Sequence, residues 1–138
     1  MSEHRPQWIC PRCGNSFVTP NLSHSCVVVD LDTHFAGKPP AIRALFDAWI
    51  AFVERYGGPT TVIPQRSRIA LQSRVRFGSV LVRRRWLDCG LWLTRVVLHP
   101  LLRKVDDLGP AQYHWFRLTD PAQLDEELAS LVSDAYLR

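Results

Sequence analysis

The spacing of apolar residues changes once along this chain, and that change sets what the chain can fold into. Before Gly57-Gly58-Pro59 the spacing is helical: Ile42, Leu45, Trp49, Phe52, Val53 and Tyr56 recur three and four residues apart. Such a stripe lays one face of a helix on a core. Pro40 suits the first helical position, where its missing N–H would have no partner anyway. Gly57 and Pro59 end the helix by C-cap and breaker. The spacing therefore predicts a helix from Pro40 to about Tyr56.

After the break the period is two, as in strands with one buried face. Thr60–Ile63 is short and β-branched. From Ser67 to Phe77 the apolar residues Ile69, Leu71, Val75 and Phe77 alternate with Arg68, Gln72, Arg74 and Arg76, which predicts two strands or one bent strand. Gly78 marks a bulge or turn, Val80–Val82 continues as strand, and Arg83-Arg84 turns the chain. Leu87, Cys89, Leu91 and Leu93 then share one face, with Trp86, Asp88, Gly90 and Trp92 on the other. Arg95–Leu98 extends this strand or leads away from it, His99-Pro100 breaks it, and Ala111–Leu118 is a further, aromatic strand. Asp120-Pro121-Ala122-Gln123 has the form of a capping box and predicts the start of a last helix, with Leu124, Leu128, Leu131, Val132 and Ala135 inward. The expected fold class is α+β: a two-layer domain with an antiparallel sheet of about four or five strands and two main helices.

Ahead of that domain stands a different kind of signal. Cys10 and Cys13 form a C-x-x-C pair, and His24 and Cys26 an H-x-C pair ten residues later. Zinc takes four N/S ligands in a tetrahedron, and two close pairs joined by a loop supply them. Cys10, Cys13, His24 and Cys26 are the expected ligands of one structural Zn2+ per chain, with His4 in reserve. A thioredoxin-like redox pair is the alternative, but such a pair opens a helix after a strand, whereas this one sits in a Pro/Gly turn. The expected division is 1–29, a zinc knuckle with a disordered leader, and 30–138, the α+β domain; Gly37-Lys38-Pro39-Pro40 punctuates the junction, and Asp30 caps a turn before it. The leader MSEHRPQW has no apolar core of a signal peptide, and no stretch nears the roughly 18 apolar residues of a membrane span. A cytoplasmic, non-membrane protein is expected, where paired cysteines hold metal more often than they form disulfides. Cys89, on an apolar strand face, reads as a small buried hydrophobe.

Charge is unevenly spread. The formal net charge is +4, yet residues 66–104 alone carry ten basic side chains, nine of them Arg, against Asp88. Residues 105–138 hold seven acidic and two basic side chains, enough to neutralise part of that region internally. Arg68, Arg74, Arg76, Arg84 and Arg85, interleaved with Trp86 and Trp92, form a candidate surface for an anionic partner, nucleic acid among them: guanidinium groups track phosphates and indoles stack on bases. The competing reading covers the tryptophans with the loops after His99 or with the arginines' own stems. A third cluster, His99, Arg103 and His114, is a candidate pocket, with the histidines as an acid–base pair. The sequence has no paired-carboxylate signature, phosphate-binding Gly-rich loop, nucleophile elbow or metallopeptidase helix.

The chain resembles the bacterial proteins that carry a short zinc knuckle fused to the domain of unknown function 5655. The matching blocks are CPRCGNSF, SHSC, LDTHFAGKPPAIRALFDAW, PQRSRIALQSRVRF, RRRWLDCGLWL and LGPAQYHWFRLTDPAQLDEEL, from about Trp8 to Tyr136. The resemblance implies a small α+β unit, found beside nuclease-like or transport-associated modules and without an established activity, and it implies the same zinc ligands. Cys89 and Gly90 depart from the commoner residues there, which argues against an essential thiol. The function expected is that of a non-enzymatic binding module for an anionic partner. A protein-interaction or small-anion domain is the alternative, and an enzyme using His99 and His114 ranks third.

Overall fold

Helix α1 runs Pro40–Tyr56 with proline in its first turn, and its stripe of Ile42, Leu45, Phe46, Trp49 and Val53 is buried. The computed structural model describes residues 8–11, 16–17 and 29–137. Ahead of α1, Asp30 caps a 3₁₀ turn, Leu31–Phe35, by accepting the Asp32 N–H. Six strands follow: β3 (Thr61–Pro64), β4 (Ile69–Gln72), β5 (Arg76–Val82), β6 (Leu87–Leu93), β7 (Leu102–Asp107) and β8 (Gln112–Leu118). Earlier in the chain, β1 (Trp8–Ile9) and β2 (Ser16–Phe17) pair with each other as a separate antiparallel ribbon.

The large sheet is antiparallel throughout, in the order β3-β4-β5-β6-β8-β7. Helix α1 and the last helix, α2 (Glu126–Tyr136), pack on each other and on the same sheet face. That face supplies Leu71, Phe77, Leu87, Leu91, Phe116 and Leu118 to the core. Burying each aliphatic or aromatic side chain of this kind contributes about 1.5–3 kcal/mol. The architecture is the expected two-layer α+β one, with six strands where about four or five were expected.

Two bulges decide which side chains reach the other face. Between β4 and β5, Leu71 pairs with Gly78 but Gln72 with Arg76, so Phe77 is an extra residue. The bulge turns Phe77 inward, where its ring meets Tyr136 of α2 with centroids 5.1 Å apart, and leaves Arg76 on the side away from α1 and α2. Between β7 and β8, Leu102 pairs with Phe116 and Lys104 with Trp115, so Arg103 is the extra residue. Two successive cations, Arg103 and Lys104, thereby border the same side. A bulge re-aims side chains in this way because the strict two-residue alternation slips by one.

Two boundaries differ from the expected ones. The Asp120 capping box is present, but it starts only a 3₁₀ turn, Pro121–Gln123. Leu124 is extended, and Asp125 caps α2 anew by accepting the Leu128 N–H at 2.8 Å. The segment after His99, read from the sequence as a loop able to cover the tryptophans, is instead the edge strand β7, which lies beside β8. Its Arg103, Lys104, Asp106 and Asp107 put charge along that edge, which discourages pairing with a further strand.

Candidate functional site: an aromatic and cationic cleft

Side chains alternate across a sheet, so covering one face with α1 and α2 leaves the other to different residues. Among the described residues no helix packs on that second face. Its centre is a row of small residues, Ala70, Ser79 and Gly90, in register across β4, β5 and β6. Larger groups rise around the row, which makes the centre a depression.

Tyr113 lies in it. An added Cβ on Gly90 would sit 2.6 Å from the Tyr113 Oη and 2.7 Å from its Cζ, so the ring rests directly on the glycine. The phenol and the Ser79 hydroxyl hydrogen-bond at 2.5 Å. Burial pushes the Tyr113 pKa up to about 12, against the opposing influence of the Ser79 hydrogen bond and the Arg68 charge. Trp92, directly across the β6–β8 pair, meets Tyr113 edge-on at 5.1 Å, and Trp115, two residues along β8, does so at 5.0 Å. Edge-to-face packing suits the ring quadrupoles and fixes the three rings relative to one another.

Cations surround the rings. The two adjoining halves of the cleft have volumes of about 400 and 370 Å3 and are lined by six basic side chains and two carboxylates. Asp88 is spent on Arg83 at 3.0 Å and Arg117 at 3.8 Å. Asp106 accepts Lys104 Nζ at 3.1 Å and the Trp115 indole N–H at 3.1 Å. Those two hydrogen bonds, Lys104 first, hold the Asp106 carboxyl below its usual range. Arg68 stacks over the Trp115 ring at 5.8 Å, and Arg103 donates to the carbonyls of Pro100 and Leu102. Among the described residues neither Arg68 nor Arg103 has a carboxylate within 4.0 Å. Internal neutralisation of the face is therefore partial.

The residues singled out in the sequence divide between this cleft and other places. Arg68, Arg76 and Trp92 line one half of it, and Arg103 lines the other. Trp86 lies near its rim, under the Arg117 guanidinium at 4.3 Å. Arg74 is exposed in the β4–β5 turn, and Arg84 and Arg85 are exposed in the β5–β6 turn; Arg84 donates to the Gly37 carbonyl at 3.4 Å. Tyr113, Trp115, Arg117, Asp106, Lys104 and Ser79 were not in the sequence-derived set. Alternation along Gln112–Leu118 already groups Tyr113, Trp115 and Arg117 on one face.

His99, Arg103 and His114 do not form one site. His114 lies on the helix side of β8, fully buried, with Nε2 accepting the Val97 N–H at 3.1 Å and Nδ1 donating to the Gln112 carbonyl at 3.2 Å. Burial lowers its pKa from the ordinary histidine value. His99 Nδ1 accepts the Leu101 N–H at 3.0 Å, so the neutral ring carries its proton on Nε2 and donates to Asp125 at 3.2 Å. Both rings pack on Phe116, and neither has a nitrogen left over for proton transfer. The ligand atoms of His99, Asp125 and Glu127 lie within 4.8 Å of one another. A cation there would need the Nε2 lone pair, which would force Nδ1–H against the Leu101 N–H, so the donor set does not suit a metal.

Cys10 follows β1 directly and is buried, and β1 and β2 are joined by the segment that contains the C-x-x-C pair. Cys13, His24, Cys26 and the reserve His4 lie outside the described residues. Cys89 is buried on the core face of β6, where burial pushes its thiol pKa well up. No described helix is long and apolar enough to cross a membrane.

A family model, described as a domain of unknown function (DUF5655), matches residues 31–137. No curated protein and no solved structure matches the chain.

Proposed function

The chain belongs to the family of that domain of unknown function, DUF5655, and we propose that it is a non-enzymatic binding module whose sheet face opposite α1 and α2 takes single-stranded nucleic acid. One observation carries the reading: six basic side chains, and the Tyr113 ring with Trp92 and Trp115 packed on it, converge on one cleft in the sheet face opposite α1 and α2. Cations there would replace the counterions of a phosphate chain, and Trp92 and Trp115 would stack on bases. A duplex keeps its base faces inside the stack, so an unpaired strand suits the rings better. Fluorescence anisotropy against single- and double-stranded DNA and RNA at two salt concentrations tests this. Single strands should bind more tightly than duplexes, with affinity falling as salt rises and falling further in Arg68→Ala and Trp115→Ala. Failure to bind at low salt, or binding indifferent to salt, would reject it. Inorganic phosphate competing as well as an oligonucleotide would favour the small-anion alternative, which suits the modest volume of the cationic half, about 370 Å3.

The same proposal includes one structural zinc ion held by Cys10, Cys13, His24 and Cys26. Two features support it: the C-x-x-C pair falls between two paired strands, and Cys10 is buried. Thiolates that bind zinc would tie down a segment too short for its own core. Elemental analysis of protein purified without added metal should find one zinc per chain, lost in Cys13→Ala. A small fraction of one zinc, with folding insensitive to chelator, would refute the site.

A further inference from the structure

The two halves of the cleft differ in chemistry and share one wall. The first is bordered by Ser79, Trp92 and Tyr113, and the second by Arg83, Arg103 and Arg117. Arg68, Asp106 and Trp115 line both. The first half thus carries most of the rings, with Arg68 and Arg76, and the second most of the cations, each near the lower end of the roughly 300–1,000 Å3 range of small-ligand sites. A nucleotide has the same division, a flat base joined to a phosphate.

Of the two carboxylates that line the cleft, Asp88 is paired with Arg83 and Arg117 in the second half, and Asp106 stands in the dividing wall. Asp106 is ionised, because Lys104 and Trp115 hydrogen-bond to its charged form. Lys104 occupies one carboxylate oxygen and the Trp115 indole the other. An ionised carboxylate offers about two acceptor positions on each oxygen, so one on each stays open. The side chain is 35% exposed and borders the cleft.

We propose that the cleft holds one nucleotide unit, base among the rings and phosphate among the arginines, and that Asp106 makes it selective for guanine. This rests on the nucleic-acid reading of the face and narrows it to a base. Guanine presents two donors side by side, the N1–H and the exocyclic amino group, which match the two oxygens of a carboxylate. Adenine and cytosine set their amino group beside a ring acceptor, which the carboxylate repels. Thymine and uracil flank their single N–H with two carbonyls.

The test titrates the full chain with 5′-phosphorylated thymine oligonucleotides that contain one guanine, one hypoxanthine or neither, followed by anisotropy at low salt. The guanine strand should bind about tenfold more tightly than the all-thymine strand. Hypoxanthine, which lacks the amino group, should lose most of that gain, and this comparison needs no protein variant. Asp106→Asn should bring the guanine strand down to the thymine strand, since its carbonyl can still accept the Trp115 N–H while its amide opposes the donors of guanine. Equal affinity for the guanine and thymine strands, or discrimination unchanged in Asp106→Asn, would overturn the proposal and leave salt-dependent strand binding standing. Absence of binding by every strand would overturn both. Guanosine monophosphate in place of the strand separates the sources: equal affinity identifies a free nucleotide, and much weaker binding identifies a unit within a chain; either bears out the pocket.

Discussion

Replacing Gly90 with alanine is the sharpest way to probe the floor of the cleft. The glycine is not one of those at positive φ, so its backbone accepts a Cβ without strain. Removing glycine's freedom in the unfolded chain would by itself stabilise the protein by about 0.4–1 kcal/mol. The Cβ, however, would lie 2.6 Å from the Tyr113 Oη and 2.7 Å from Cζ, where carbon contacts settle near about 3.5–4.0 Å. The ring must move by about 1 Å, and it is held by Ser79 beneath and by Trp92 and Trp115 at its edges. Overpacking of this kind costs about 1–3 kcal/mol, and loss of the Ser79 hydrogen bond adds about 1 kcal/mol. The net expectation is a destabilisation of about 1–3 kcal/mol, read by urea unfolding with an unchanged slope. In a Tyr113→Ala background the Cβ meets no ring, and Gly90→Ala should be neutral or stabilising. Full stability of the single variant, or the same penalty in both backgrounds, would show that the ring does not rest on the glycine.

Three further outcomes test the helix side and the buried thiol. His114 has a folded pKa lowered by burial, so the unfolded chain takes up its proton first as pH falls; its stability contribution is present above about 6.5 and is lost as pH drops through the lowered value. Urea midpoints at pH 7.5 and 5 should therefore converge in His114→Gln relative to the parent, and identical pH slopes would contradict this. Asp125→Ala should cost about 2–4 kcal/mol in thermal or urea unfolding, because it removes the α2 cap and strands the Nε2–H of a His99 side chain only 1% exposed, whereas Asp125→Asn should keep most of the stability. Cys89 should react with a thiol reagent only at the rate of unfolding, since its burial holds the thiolate form away; rapid labelling of the native protein at this position, mapped by mass spectrometry, would contradict that.

How far the sequence could be read depended on how regular its patterns were. The stripe from Ile42 to Val53 marks α1 from Pro40 to Tyr56 because helix period, proline start and glycine stop all agree. Leu87–Leu93 alternates without a fault, so β6 and both its faces could be read directly. Strand β7 could not: Leu102–Asp107 is an edge strand, half exposed, and its charged sequence has no inward apolar series to display. The bulges at Phe77 and Arg103 were equally hidden, because a slip of register exists only relative to a partner strand. The candidate site suffered most from this. Arg68, Arg76 and Trp92 could be grouped from alternation, but Asp106 and Lys104 join them only through β7. His99 and His114 attracted attention as titratable groups, yet what occupies their nitrogens is backbone that lies nearby only in the folded chain.

The contact between α1 and α2 has a consequence for the order of folding. The strands form by neighbour pairing, apart from the β8–β7 exchange, so a meander can grow locally as the chain lengthens. The part of its helix-side face that α1 does not cover nevertheless stays open until residues 126–136 arrive: Tyr136 covers Phe77 and donates its hydroxyl hydrogen to the Pro59 carbonyl at 2.6 Å, across 77 positions of sequence. Until then Phe77 and its neighbours are exposed, as in the intermediates that aggregate during slow assembly. Docking of α2 is thus expected to be a late step, and loss of its last turn should leave a chain with its strands formed and Phe77 uncovered.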